Sequence, residues 1–173
     1  MEFSSKTWYG GEVRAHASAR DLAALECKPF DGLRRVAFVD VDGKEEFCGR
    51  VESYRNLEEA ERVASIVASM VRAGVCSLDV GVISGYSAQV ELIRICLELE
   101  GLSDRTVDGF QGQERKVIIF SGVRSKENLG FLSDHRRLNV MLTRAKQGLV
   151  VVGRRRTLEL DSVWRDWLTS MNA

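Results

Sequence analysis

The chain has 173 residues, of which 45% are hydrophobic and 29% charged, and its 25 Lys and Arg balance its 25 Asp and Glu. This length suits one domain and excludes a two-domain motor, and the composition excludes a disordered or fibrous protein. No apolar run approaches the roughly 18 residues that a membrane span requires, and the N-terminus lacks a secretory signal, so we expect an intracellular protein, cytoplasmic or nuclear, with no membrane partner.

The first predicted elements are an irregular arm, a strand and a helix. Residues 1–34 show no clear periodicity, so we expect an irregular N-terminal arm. Residues 35–41 are β-branched and apolar and precede an Asp-Gly turn, which predicts a strand. Apolar residues recur with a helical period over residues 57–73, which predicts a helix that begins after Asn56 as N-cap and ends before Gly74.

Strands and helices then alternate to the end of the chain. Short apolar runs predict further strands over residues 80–83, 116–123 and 148–153. Amphipathic segments predict helices over residues 87–100, 133–146 and 162–171, the second with Ser133 or Asp134 as N-cap. The last two strands lack polar alternation, which is typical of parallel strands covered on both faces. The pattern predicts a three-layer α/β domain with a mainly parallel central sheet.

Cysteine spacing and charge distribution bear on the kind of site. The four cysteines are scattered and form no CxxC pair, so we predict neither a zinc site nor a disulfide framework, and no metal ligands. Residues 1–100 carry 12 basic and 17 acidic side chains, whereas residues 101–173 carry 13 basic and 8 acidic ones. The basic second half indicates either a surface that faces phosphate or a solvated face without a partner.

Three polar segments adjoin the predicted strands: GVISGYSAQ over residues 81–89, TVDGFQGQE over residues 106–114 and RRLNVMLTRAK over residues 136–146. Ligands of open α/β sheets gather at the carboxyl ends of strands, where we expect these segments to meet. Taken singly, the two glycines of the second segment are equally typical of a turn. The basic residues of the third, Arg136, Arg137, Arg144 and Lys146, are more typical of a solvated helix face than of a site.

The order and spacing of the three segments resemble the last three motifs of superfamily 1B helicases. They are most similar to the group that contains the RNA helicase of nonsense-mediated decay and its RNA and DNA relatives. The resemblance covers about residues 55–170. It implies that residues 35–173 form the second RecA-like domain, with a P-loop NTPase-like fold, of an ATP-dependent helicase.

The resemblance implies a nucleotide role for several residues. Arg144 matches the arginine finger that reaches the γ-phosphate of ATP, and its planar fork suits phosphate oxygens. Glu114 matches a glutamate that accepts a hydrogen bond from the ribose, Gly112 allows close approach of the backbone, and Gln111 braces the loop. Arg137 matches a catalytic residue that supports Arg144. ATP with Mg²⁺ is the implied cofactor, held mainly by a first RecA-like domain that is the implied partner.

A second set of residues matches nucleic-acid contacts of the family. Ser84, Gly85, Thr106 and Asp108 are expected to contact the backbone of single-stranded RNA or DNA, because hydroxyls and backbone N–H groups bind phosphates without reading bases. Tyr86 either stacks on a base or covers the core.

Two further residues allow alternative interpretations. Asn139 either supports Arg144 or satisfies buried backbone groups. Arg124 is either a cleft residue or one partner of a structural ion pair with Asp108 or Asp134.

The sequence also departs from the family pattern. The family commonly has Thr-Pro where this chain has Ser84 and Gly85, which predicts a weaker grip on nucleic acid. The chain contains no GxxxxGK[ST] phosphate loop and no DExx carboxylates. We therefore expect no ATP hydrolysis by this chain alone. The alternative function is a non-catalytic RecA-like module that binds nucleic acid or protein.

Overall fold

The computed structural model describes residues 2–12, 29–30, 35–102, 107–109 and 114–171. Within these ranges, five parallel strands form one sheet with the order β1-β7-β6-β4-β5. The strands of this sheet are β1 Val36–Asp40, β4 Val80–Ser84, β5 Val107–Gly109, β6 Arg115–Ser121 and β7 Ala145–Gly153. A separate antiparallel hairpin consists of β2 Glu46–Cys48 and β3 Ser53–Arg55.

Helices cover both faces of the sheet. They are α1 Glu2–Trp8, α2 Leu57–Arg72, α3 Ser87–Leu99, α4 His135–Thr143, α5 Arg155–Leu158 and α6 Ser162–Ser170. Single 3₁₀ turns occur at Ser77–Asp79 and Gly130–Ser133. None of these described helices is long and apolar enough to cross a membrane.

Two hydrophobic cores lie on opposite faces of the sheet because successive side chains of a strand point to opposite sides. On β6, Ile119 belongs to the core beneath α2 and α3, whereas Ile118 and Phe120 belong to the core beneath α4 and α6. Neighbouring β7 alternates in the same way, with Val150 in the first core and Val151 in the second. The predicted RecA-like architecture, in which a layer of helices covers each face of a parallel sheet, is confirmed.

Helix α2 begins and ends where local sequence signals predict. The Asn56 side chain accepts a hydrogen bond from the backbone N–H of Glu59, so Asn56 is the N-cap as predicted. The helix ends before Gly74, whose φ of 93° is a left-handed conformation that glycine adopts without strain.

Helix α4, which contains most of the third polar segment, is shorter than predicted. Asp134 caps it by accepting hydrogen bonds from the N–H groups of Arg136 and Arg137, so the helix begins at His135 rather than at residue 133. It ends at Thr143 because Ala145 already pairs with Arg115 in the sheet. Of the two predicted N-caps, Asp134 is confirmed, whereas the predicted end of the helix at residue 146 is wrong, and Arg144 lies at the helix-to-strand junction.

The start of the chain also differs from the prediction. Residues 2–8 form helix α1 rather than irregular chain, and Phe3 and Trp8 pack against the core beneath α4 and α6. These aromatic residues are partly buried by tertiary contacts that no local periodicity reveals. Residues 13–28 and 31–34 of the predicted arm lie outside the described residues.

Candidate functional site

The three motif segments lie at two opposite edges of the sheet. At the carboxyl edge, Ser84 pairs with Ser121 and Gly109, where β4, β6 and β5 end. At the amino edge, Arg115 pairs with Ala145, where β6 and β7 begin. The seven residues of β6 separate the two edges by roughly 20 Å. The expectation that all three segments meet at the carboxyl ends is therefore wrong for the end of the second segment at Glu114 and for the end of the third at Arg144, which both lie at the amino edge.

The amino edge brings together Arg144 and Glu114. Arg144 follows the last turn of α4 and is half-buried, and no described residue forms a hydrogen bond or ion pair with its side chain. Two residues later, Lys146 Nζ lies 3.6 Å from Glu114 Oε2, and both of these side chains are 57% exposed. The other two predicted nucleotide-binding residues, Gln111 and Gly112, lie outside the described residues.

Among the described residues, no hydrogen bond or ion pair joins the side chain of Arg137 or Asn139 to that of Arg144, so any support from them is indirect. Arg137 Nε pairs with Asp134 Oδ2 at 3.1 Å, and its guanidinium lies 4.8 Å from the Phe131 ring centre. The seven residues from Arg137 to Arg144 correspond to roughly 10 Å of helix rise. Arg137 thus lies near the start of α4, and this structure offers no contact through which it could support Arg144.

Asn139 also has a partner that the sequence did not indicate. Its Nδ2 donates to the Tyr9 hydroxyl at 2.8 Å, so the side chain joins α4 to the segment that follows α1. This hydrogen bond satisfies no backbone group, so support of Arg144 is the role that stays a prediction for the Asn139 side chain.

At the carboxyl edge, the Ser84 side chain is turned inward. It is only 3% exposed, and its Oγ donates to the Ser121 carbonyl oxygen at 3.2 Å. The hydroxyl is therefore not available to a phosphate in this structure, and the nucleic-acid role predicted for it is not supported. Thr106 and the side chain of Asp108 lie outside the described residues, although the Asp108 backbone belongs to β5.

Gly85 and Tyr86 pack beneath Phe131. A Cβ at Gly85 would lie 2.6 Å from Phe131 Cδ1, so only glycine fits at this position without movement of the ring. The Tyr86 ring packs edge-on against Tyr54 at 5.9 Å and is tilted against Phe131 at 6.2 Å. These contacts favour the interpretation of Tyr86 as a core-covering residue over a free stacking surface.

A buried glutamate, which the sequence analysis missed, organises the carboxyl edge. Glu59 is fully buried, and its Oε2 accepts hydrogen bonds from Ser121 Oγ at 2.8 Å and from the Val123 N–H at 2.9 Å. Its Oε1 accepts from Asn56 Nδ2 at 3.3 Å, and Gln89 Nε2 donates to the same Ser121 hydroxyl at 3.1 Å. Burial raises the pKa of Glu59 to about 7, although the backbone donor Val123 and the Ser121 hydroxyl oppose this rise.

Val123 is held in a strained turn by this cluster. Its φ is 70°, which is rare for a β-branched residue, and the N–H of Arg124 donates to the Gly122 carbonyl at 2.8 Å, as in a γ-turn. The Val123 N–H is bonded to Glu59 and its carbonyl accepts from Asn56 Nδ2 at 3.2 Å. The surrounding hydrogen bonds thus over-determine the strained conformation, and they end β6 two residues before the predicted position.

Arg124 emerges from this turn into a buried ion pair with Glu45. Its Nε and Nη2 lie 2.9 and 3.3 Å from the two carboxylate oxygens, and the side chains are only 6% and 2% exposed. Burial acts to raise the pKa of Glu45, but hydrogen bonds from the Ser125 N–H and from Arg124 lower it overall. The guanidinium also lies 4.3 Å from the centre of the Tyr54 ring.

Arg124 thus forms a structural ion pair, but its partner is Glu45 and not Asp108 or Asp134, the two partners predicted from the sequence. Glu45 lies in the turn before the hairpin, 79 residues from Arg124, and its carboxylate has no motif signature. Among the described residues, no group of three or more His, Cys, Asp or Glu side chains is placed to hold a metal ion.

Comparisons with known proteins identify a matching family model and relatives among helicases. A family model described as "AAA domain" matches residues 1–156. An "Uncharacterized ATP-dependent helicase" of Methanocaldococcus jannaschii is 37% identical over 180 residues, covering 97% of this chain and 26% of the relative. A "Regulator of nonsense transcripts 1 homolog" of Neurospora crassa is 42% identical over 181 residues, covering 96% of this chain and 16% of the relative.

A third relative is the "ATP-dependent helicase NAM7" of Saccharomyces cerevisiae, which is 34% identical over 181 residues. That match covers 96% of this chain and 18% of the relative. The chain thus spans 26% or less of the length of these three relatives.

Proposed function

Because this chain belongs to the AAA domain family and is a superfamily 1 helicase domain related to the helicases of nonsense-mediated decay, we propose that residues 35–173 act as a second RecA-like motor domain. In this proposal the domain belongs to an ATP-dependent RNA or DNA helicase. The observation that carries it is the state of Arg144, a half-buried guanidinium at the amino edge without a side-chain partner among the described residues.

The amino edge fits a nucleotide by its chemistry. The Arg144 guanidinium presents a planar array of donors that matches phosphate oxygens, and Glu114 is an exposed carboxylate that can accept hydrogen bonds from ribose hydroxyls. When bound, ATP supplies the phosphoryl group that is transferred. Arg144 stabilises the charge that develops on this group, and electrostatic stabilisation of this kind is the largest contribution to catalysis of phosphoryl transfer. Mg²⁺ and the phosphate-binding loop are assigned to a first RecA-like domain, because this sequence has neither the loop nor the DExx carboxylates.

The carboxyl edge is assigned to single-stranded RNA or DNA. The Ser84 hydroxyl is bonded internally, so among the described residues the remaining contact surface consists of Gly85 and the backbone at the end of β5, while Thr106 and the Asp108 side chain stay proposed contacts. Backbone N–H groups position a phosphate chain without reading its sequence, which suits a motor that moves along any strand. The two proposed ligands therefore use opposite edges of one sheet.

The test uses the two-domain protein, by which we mean a polypeptide in which a first RecA-like domain with a phosphate-binding loop precedes this chain. We expect Arg144→Ala to lower kcat by roughly 10³ to 10⁵, as loss of an arginine finger does. We expect Arg144→Lys to rescue poorly, because an ammonium group keeps the charge but loses the two-pronged contact. ATP turnover is measured with saturating single-stranded RNA and, separately, single-stranded DNA.

A matched control is Arg62→Ala, which removes an exposed arginine of α2 and should leave kcat unchanged. Melting temperatures measured in parallel separate loss of turnover from loss of fold. Near wild-type turnover in folded Arg144→Ala would contradict the proposal and favour the non-catalytic binding module instead.

A further inference from the structure

Helix α4, which leads directly into Arg144, is too short to orient itself. It has nine residues, and isolated helices of this length are marginal in water, so tertiary contacts set its direction. One side is fixed by the sheet, because Leu138, Met141 and Leu142 are buried in the core beneath α4 and α6. His135 Nε2 lies 2.8 Å from Asp161 Oδ2 and ties the first turn of α4 to the start of α6, so the sheet alone fixes the later turns unless a second contact holds them.

The second contact comes from the beginning of the chain. The Asn139 Nδ2 atom donates to the hydroxyl of Tyr9 at 2.8 Å, a hydrogen bond that spans 130 positions of sequence. Asn139 Oδ1 is buried and has no hydrogen-bond partner among the described residues. The Tyr9 hydroxyl is therefore the one described partner of this amide group.

Tyr9 stands on an anchored element. Phe3 and Trp8 of α1 pack against the core beneath α4 and α6, and their rings meet edge-to-face with centres 5.8 Å apart. The N–H of Tyr9 donates to the Ser5 carbonyl at 3.1 Å, which continues the helical hydrogen-bond pattern of α1. Tyr9 itself is 46% exposed, so its position depends on the packing of α1 and on the hydrogen bond from Asn139.

A further hydrogen bond connects Asn139 to Thr143, the residue before Arg144. The Thr143 hydroxyl donates to the Asn139 carbonyl at 2.9 Å and to the Val140 carbonyl at 3.1 Å. Thr143 is the last residue of α4, and the N–H of Arg144 donates to the Met141 carbonyl at 3.3 Å. The final turn that aims Arg144 thus begins at the residue that Tyr9 holds.

We propose that Tyr9 and Asn139 are positioning residues for Arg144: their hydrogen bond locks α4 against α1 and so fixes where the guanidinium lies at the amino edge. This inference rests on the proposed function, because positioning matters only if Arg144 meets a nucleotide. A displacement of about 1 Å in a catalytic group can cost up to about 100-fold in rate, so one hydrogen bond can have a large kinetic effect.

The first test removes the hydrogen bond alone, in the two-domain protein. Tyr9→Phe keeps the ring and deletes the hydroxyl, and we expect kcat to fall about 10-fold while KM for ATP changes little, because misplacement acts mainly on the transition state. Asn139→Ala should give a similar fall, and the double variant should be no worse than either single variant. The control is Thr169→Val, which deletes a hydroxyl that donates to the Arg165 carbonyl at 2.8 Å on α6.

The second test separates this inference from the arginine-finger proposal. If Tyr9 acts through Arg144, Tyr9→Phe should have no further effect on kcat in the Arg144→Ala background. An equal fall in both backgrounds would overturn the inference and leave the arginine finger standing. Unchanged kcat in Tyr9→Phe would also overturn it. Unchanged kcat in Arg144→Ala would defeat the proposed function itself, and the inference with it.

Discussion

The two edges of the central sheet use charged side chains in opposite ways. At the carboxyl edge, Glu59 and the pair of Glu45 and Arg124 are buried and bonded several times within the chain. At the amino edge, Glu114 is mostly exposed and has one loose ion pair, and the Arg144 side chain has no partner among the described residues. Both edges carry motif residues, yet only the carboxyl edge satisfies its charges internally.

The difference teaches how to tell structural charge from charge that awaits a partner. A buried ion that is fully bonded would lose several kcal/mol if one partner were removed, so its first effect is on folding. An exposed or half-buried ion without partners contributes little to folding and remains available to a ligand. Substitutions at the carboxyl edge should therefore change stability, and substitutions at the amino edge should change activity.

The largest expected difference in stability concerns Glu45. Glu45→Ala would leave the Arg124 guanidinium buried without its carboxylate, and we expect the free energy of unfolding to fall by about 3–5 kcal/mol. Glu114→Ala, the matched substitution at the amino edge, should cost less than about 0.5 kcal/mol. Denaturant unfolding of this chain measures both. Equal losses at the two edges would break the comparison.

A pH titration sharpens the comparison at Glu59. The folded pKa of about 7 lies above the ordinary value of 4.5, so the folded state holds its proton more tightly than the unfolded state. Stability from this group is complete below pH 4.5 and is lost as the pH rises through 7, by about 3 kcal/mol in total.

The reference for this titration is Glu59→Gln, which cannot ionise and should lack this part of the pH dependence. The measured quantity is the difference in unfolding free energy between the two proteins from pH 4 to pH 8. A wild-type stability that rises relative to the variant over this range would show that the hydrogen-bond donors outweigh burial.

The smallest expected effect concerns packing at the carboxyl edge. Gly85→Ala would place a Cβ 2.6 Å from the Phe131 ring, and we expect a loss of about 1–3 kcal/mol from overpacking. Gly49→Ala is the control, because the nearest atom to a Cβ there is 3.9 Å away in Phe47. Thermal unfolding measures both, and Phe131→Leu should restore part of the stability of Gly85→Ala. No loss in Gly85→Ala would show that the ring moves freely.

Most of the fold was predictable because its signals are local. The caps at Asn56 and Asp134 and the left-handed Gly74 act on neighbouring residues, so helix starts and stops follow from short stretches of sequence. The hairpin was missed because its strands have three residues each, and helix α1 because tertiary contacts bury its aromatic side chains. Strand β6 ends early because Glu59, far away in sequence, holds Val123.

The resemblance nominates Arg144 and Glu114 as site residues, and this assignment stays a prediction. The structure brings both to the amino edge, and no described hydrogen bond or ion pair joins Arg137 to Arg144. Chain order already places the ends of the second and third segments, which precede predicted strands, at amino ends, but motif spacing says nothing about how distant elements pack. Nor could it pair Tyr9 with Asn139, since that hydrogen bond depends on how two distant helices pack.

The position of β1 at the edge of the sheet has a consequence for biosynthesis. Its one neighbour among the described strands is β7, and the pairing places Val36 beside Leu149. A nascent chain therefore carries β1 unpaired until nearly the whole domain has left the ribosome. Among the described strands, β7 is the last to be synthesised, and its pairing with β1 and β6 completes the sheet. Pairing of strands so far apart in sequence is also slow. A chain that is released before β7 has been synthesised therefore exposes an unpaired β1, which can pair with other chains.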